Sequence, residues 1–238
     1  MHFEYFDMLS GSPILVEGVG HLKSPLLKDI CPAGAISVKE YNRFINFLAW
    51  DKSKVLQYDE VMGYKGYKKV NRDEFNTFDV VTLIRQTRGL CGEVLSFFIV
   101  EDVVWMDKNR CFAIKSDDDI IGVVNRENFD IIKKLILQLN YIGLEDDSKK
   151  IVHSTKASRD AWEKVQHYLN EQSKKSDGKD EPEYRLSNII SKLCTAHPSY
   201  NLLNVYDLTI FQLYDAFFQL GYIRSTNLSE QIFSNHGG

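Results

Sequence analysis

Hydrophobic and polar positions change their spacing several times along the chain, and each change marks an element. Ile14-Leu15-Val16-Glu17 and Val19-Gly20-His21-Leu22-Lys23 flank Gly18, which predicts a small strand pair folded about that glycine. Ser24-Pro25 then places a capping residue before a proline whose missing N–H costs nothing in a first helical turn, predicting a short helix. Tyr41, Phe44, Ile45 and Leu48 recur at helical spacing behind the Ser37/Glu40 capping box, so a helix is expected over 38–50. Residues 51–73 lose this order, with Gly63 and Gly66 interrupting a tyrosine- and lysine-rich stretch expected to link two helical pieces. From Thr77 the helical period returns in Val80, Leu83 and Ile84, then in Cys91, Val94, Leu95 and Phe98. Gly89 and Gly92 predict a bend or a close helix contact in this stretch.

At Val100 the pattern turns to β. Val103-Val104-Trp105, Cys111-Phe112-Ala113-Ile114 and Ile120-Ile121-Gly122-Val123-Val124 are separated by turn-forming runs at 107–110 and 116–119, which predicts a three-stranded antiparallel meander. Asn125 is placed to cap a helix carrying Ile132, Leu135, Ile136 and Leu139, and a surface helix over 158–170 carries the narrow stripe Trp162, Val165 and Leu169. Residues 171–183 hold no hydrophobic side chain and read as a solvated linker. Beyond it come a helix carrying Leu186, Ile189, Ile190 and Leu193, and a second one behind the Thr209/Gln212 capping box. This last helix, over 210–223, is apolar nearly all round, with Gln212, Asp215 and Gln219 as its polar stripe; the fold or a partner must wrap it. The expected class is α+β, predominantly helical, with an N-terminal β-hairpin and the central meander. The expected division is a mixed domain over 1–170, the linker 171–183, a C-terminal helical unit over 184–224 and a flexible tail over 225–238.

Composition sharpens this only in part. Among 238 residues, 44% are hydrophobic and 26% charged, an ordinary globular balance, and the net charge of −4 argues against a general nucleic-acid binder. A start without a secretory signal, and the absence of an apolar run of about 20 residues, lead to the expectation of a cytoplasmic chain. Cys31, Cys91, Cys111 and Cys194 form no Cys-x-x-Cys pair and read as reduced, packed thiols.

Candidate chemistry is sparse. Asp117, Asp119 and Gly122 match the start of a calcium loop, but Ile121 and Asn128 occupy later positions where ligands belong, so a β-turn is favoured. Cys194 and His197 share a helix face without a second ligand pair, which favours a packed helix end over zinc. His21, His153 and His167 read as surface residues. Tyr64, Lys65, Tyr67, Lys68, Lys69 and Arg72 interleave rings and cations in a manner suited to single-stranded nucleic acid, but nearby acids favour a solvated loop. No nucleotide-binding glycine loop and no hydrolase signature occurs, so the chain is expected to be non-enzymatic, without cofactor or metal.

Aromatic crowding on the last helix is the remaining signal. Phe211, Tyr214, Phe218 and Tyr222 are the candidate partner-binding anchors there, since aromatic side chains dominate interfaces as well as cores. Two stretches carry a resemblance: Pro13 through Ile30, and Ser187 through Cys194 with Asn201 through Leu213. Both resemble tail-region proteins of phages and prophages of Gram-positive bacteria. The best-matching role in that group is a tail-assembly chaperone, which coats a tape-measure protein until tube subunits displace it. The resemblance implies phage tail proteins such as a tape-measure protein as partners and residence in the host bacterial cytoplasm; a homo-oligomer is a further expectation. The alternatives are a permanent tail or connector component, residing in the virion, and, further down, an enzyme whose acid–base chemistry comes from scattered Asp, Glu and His brought together by the fold.

Overall fold

The computed structural model describes residues 2–31, 33–63, 74–143, 185–221 and 223. The chain opens with α1 (Tyr5–Ser10), closed by Gly11 at φ 73°, a left-handed conformation that suits a residue without a Cβ. Strands β1 (Ile14–Val16) and β2 (Gly20–Leu22) pair antiparallel, with Ile14 opposite Leu22, as the apolar runs around Gly18 predict. Ser24 and Pro25 do not begin a helix. A 3₁₀ turn starts only at Leu27 and runs to Ile30. The buried Ser24 hydroxyl instead accepts a hydrogen bond from the distant Phe211 N–H at 3.3 Å, and the Pro25 carbonyl accepts one from Ile210 N–H at 2.9 Å. The capping serine is thus used across 187 residues of chain rather than locally.

Helix α2 (Val38–Ala49) carries the expected capping box, with Glu40 N–H donating to Ser37 Oγ and Ser37 N–H donating to Glu40 Oε2. Its apolar stripe Tyr41, Phe44, Ile45 and Leu48 is buried. Asp51 caps α3 (Lys52–Val61), while the expected basic loop at 64–72 lies outside the described residues. A second reciprocal box, Asn76 with Asp79, starts α4 (Thr77–Leu83). The bend falls at Ile84, in extended conformation, before α5 (Arg85–Phe98), and not at the glycines. Gly92 marks a close contact instead: a Cβ there would stand 3.3 Å from the Phe112 ring.

The meander forms as predicted, in the order β3 (Asp102–Met106), β4 (Cys111–Ser116), β5 (Asp119–Val124). The N-terminal hairpin docks onto it. Val123 N–H donates to the Gly18 carbonyl at 2.9 Å, and Val100 N–H donates to the His21 carbonyl at 2.9 Å. Helix α6 (Phe129–Leu139) follows a turn in which Asn125 Oδ1 accepts from Glu127 N–H and the Asn128 amide donates to the Val123 carbonyl. Lys133 on α6 is nearly buried and donates to the Trp50 carbonyl at the end of α2, so a cation meets the negative end of a helix.

The C-terminal part folds back onto this frame. Helix α7 (Leu186–Ala196) buries Ile189, Ile190 and Leu193, and a 3₁₀ turn at Val205–Asp207 leads to α8 over 210–221. Thr209 and Gln212 form the expected capping box, and Gln212 also donates to the Leu9 carbonyl of α1 at 3.0 Å. Both helices contribute to one apolar core with α2, α5 and α6. The expected surface helix over 158–170, the linker 171–183 and the tail 225–238 lie outside the described residues.

Candidate functional site

The anchors assigned from the sequence divide once their surroundings are seen. Phe211 is 0% exposed, edge-on to Tyr5 at 5.8 Å and 5.0 Å from Tyr141, so it belongs to the core and not to a surface. Tyr214 is also buried, 6.0 Å from Tyr141. Phe218 is half-buried and stacked on Tyr141 at 5.2 Å. Tyr222 lies outside the described residues. The wide apolar face of α8 is therefore covered by α1 and by Tyr141, which follows α6. Polar contacts secure the same packing: Tyr5 donates its hydroxyl hydrogen bond to Asp215, whose carboxyl burial pushes above its ordinary range.

Among the described residues, one edge of this packing stays open. A groove of about 920 Å³ runs between the 3₁₀ turn at Leu27–Ile30, α2, α7 and the 201–206 segment, with Leu27, Ile30, Ile190 and Tyr214 among its apolar lining. Leu202 and Leu203 stand on its rim, 65% and 92% exposed. Two exposed leucines beside an apolar groove form a contiguous surface of the kind that marks an interaction site, unlike a single stray hydrophobe. Sequence reasoning missed this site because its walls lie far apart in the chain. Its local trace is the Leu202-Leu203 pair between two asparagines.

The groove also collects two thiols. Cys31 and Cys194 line it and are half-buried, whereas Cys91 and Cys111 are buried. Burial raises the Cys194 thiol above its usual value. His197 caps the end of α7, its ring accepting from Ser199 N–H at 3.2 Å and lying 4.6 Å from the Tyr200 ring. Among the described residues no group of three His, Cys, Asp or Glu is arranged to hold a metal. In the Asp117–Gly122 segment, Gly122 serves close packing: a Cβ there would come within 2.6 Å of the Gly18 and Val19 carbonyl oxygens.

His21 is not an isolated surface residue. Its Nδ1 lies 2.5 Å from Glu101 Oε1, and the same carboxylate accepts His21 N–H at 2.9 Å. Burial raises the Glu101 carboxyl, but the hydrogen bonds from the His21 ring and backbone outweigh it and leave the group below its ordinary range. The pair ties β2 to the start of the meander. His153 and His167 lie outside the described residues.

Among the described residues, Asp59 is the least satisfied charge. It is 0% exposed, one oxygen accepts from the Thr87 hydroxyl at 2.6 Å, and the other has no partner. Burial raises its carboxyl above the usual value, against the Thr87 hydrogen bond that lowers it. A raised native value means that Asp59 favours folding fully below its unfolded-state titration and loses that contribution as pH rises through its native one. Asp59→Asn keeps a polar atom at the unpartnered position but removes the buried charge, so it is expected to stabilise the chain at pH 7 by on the order of 1 kcal/mol, since an unpartnered charged group costs more than a neutral one. The gain should shrink toward pH 3; urea unfolding at both pH values measures it, and an equal effect at both would show that charge burial is not the cause.

Residues 173–237 match the family described as the YomV second domain. The match ties the C-terminal part of the chain to phage-derived proteins. No curated protein and no solved structure matches the chain. The matched stretch contains α7 and the Leu202-Leu203 rim, while the 3₁₀ turn and α2 lie outside it, so the groove sits where the phage-associated part meets the remainder. Among the described residues no helix is long and apolar enough to cross a membrane.

Proposed function

We propose that this chain is a non-enzymatic phage assembly protein that holds a helical segment of a tail protein, such as a tape-measure protein, in the groove against α7. The exposed Leu202-Leu203 rim beside an open apolar groove carries this reading, since a free chain gains nothing from leaving such a surface wet. The phage-associated match over one wall of that groove supports it. The binding groups differ from those expected on α8: of the anchors assigned there, Tyr214 lines the groove, and Phe211 serves the core. Reversible binding requires a modest apolar interface that opens without unfolding the chain, and the groove is framed by helices that the core already holds in place.

A second reading, a permanent tail or connector component, is favoured by the meander, whose β3 is an edge strand and whose Val104, Ile120 and Ile121 are exposed. Peptide mass spectrometry on purified particles and on the lysate that produced them separates the two. An assembly factor is expected to be abundant in the lysate and absent from particles. Stoichiometric presence in particles would overturn that reading and establish a structural component.

A further inference from the structure

We propose that two copies of this chain associate by pairing β3 with β3 of the second copy, antiparallel about a two-fold axis at Trp105. The inference goes beyond both readings above and is independent of what the groove holds. The edge itself is the first argument. Among the described residues, β3 pairs with β4 alone. Such edges are ordinarily blunted by proline, lysine or a bulge. β3 reads Asp-Val-Val-Trp-Met, without proline or lysine, and the irregularity of the sheet falls at Ile114 and Lys115 on the β4–β5 side. The row Val123, Ala113, Val104 crosses the sheet to this edge, where Val104 is exposed.

Self-pairing admits few registers, and charge selects among them. A two-fold axis normal to the sheet preserves its faces, and opposite residues of an antiparallel ladder share a face, so the axis passes through a residue and not between two. An axis at Val103 sets Met106 of the second copy against Val100, whose N–H is already given to the His21 carbonyl at 2.9 Å. An axis at Val104 sets Glu101 against Asp107 of the second copy, twice, which like charges oppose. At Trp105 the match is complementary: Val104 faces Met106, Asp102 faces Lys108, and symmetry repeats both contacts. Asp102 then lies between Lys115 of its own ladder and Lys108 of the second copy. Glu101 faces Asn109 and Asp107 faces Val103, so no acid opposes an acid. Asp102, Lys108 and Arg110 are exposed. There is also room for the second copy's 107–110 turn, because a hollow of about 440 Å³ opens beside residues 99–104. Its charged lining is Lys23, Glu101, Asp102, Lys115 and Asp117, an excess of one negative charge, while the turn brings Lys108 and Arg110 against Asp107.

Sedimentation velocity on the full chain tests this. Monomer is expected at low micromolar concentration and a growing dimer toward the millimolar range, because a contact one short strand long lies at the weak end of specific interfaces. Hydrogen exchange over 102–106 should slow in step with the dimer, and exchange over 111–116 should not change. Val104→Lys places an edge-blunting charge at an exposed position and should weaken the dimer at least tenfold. Asp102→Lys and Lys108→Asp should each weaken it similarly, since each sets like charges together at both contacts. An equimolar mixture of those two variants should recover the dimer, because every contact in the mixed pair then joins Lys to Asp. Should Asp102→Lys unfold the chain by facing Lys115 in its own ladder, Val104→Lys and Lys108→Asp still decide, both lying at exposed positions. A chain that stays monomeric throughout overturns the inference. So does a dimer that survives Val104→Lys, or a mixture of folded charge variants that recovers nothing, since either places the interface elsewhere. Exchange over 102–106 that slows only when a phage lysate is added would assign the edge to a different protein and overturn it as well.

Discussion

Phe211→Ala is expected to destabilise the chain by about 3–5 kcal/mol, the range for truncating a fully buried aromatic side chain. Folded proteins hold only about 5–15 kcal/mol in total, so this one change removes much of the margin. The cost follows from the position of the ring. It is wholly buried between Tyr5 of α1 and Tyr141 beyond α6, and its own N–H is bound by Ser24. Truncation therefore opens a cavity where α1 and α8 meet. Urea unfolding should show a midpoint lowered in proportion, with near-normal helix content in the remaining folded fraction. Phe218→Ala should cost less, because that ring is only half-buried and its main aromatic contact is one stacked face of Tyr141. An unchanged midpoint for Phe211→Ala would remove α8 from the core and restore its aromatic face as a docking surface.

The same helix shows how far local pattern carries. Its start is legible from Thr209 and Gln212, because a capping box needs only residues three apart, and the Ser37/Glu40 box is legible for the same reason. The meander is legible because turn residues and β-branched runs alternate along one short stretch. What α8 faces is not written locally: nearly continuous apolarity demands cover without naming it, and the cover comes from residues about 200 positions earlier and from Tyr141. Ser24 shows the same limit from the other side. A serine before proline has the composition of a local cap, yet it binds the N–H of Phe211 because the chain there runs alongside 208–210. The groove was illegible for a related reason, since Ile30, Tyr41 and Ile190 become neighbours only after the C-terminal helices fold back.

Gly122→Ala is the second substitution expected to act strongly, although it adds one methyl group to an exposed-looking strand. The new Cβ would lie 2.6 Å from both the Gly18 and Val19 carbonyl oxygens, closer than real Cβ contacts come, and backbone atoms cannot swing aside as a side-chain tip can. Relief requires the hairpin to lift from β5, which breaks the 2.9 Å hydrogen bond from Val123 N–H to the Gly18 carbonyl. Overpacking costs about 1–3 kcal/mol and the lost hydrogen bond about 1 kcal/mol more. For a chain of this size each kcal/mol lowers Tm by roughly 2–4 °C, so a fall on the order of 5–15 °C is expected. Hydrogen exchange at the Val123 amide should accelerate selectively, because the hairpin can detach while the β3–β4 ladder stays paired. Gly89→Ala provides the contrast: it lies within α5, its added Cβ meets nothing within 4 Å, and alanine gains about 0.5–1 kcal/mol over glycine inside a helix. If both substitutions shift Tm equally, docking of the hairpin on the meander is not what Gly122 serves; opposite shifts place the constraint at the contact between Gly122 and the hairpin turn.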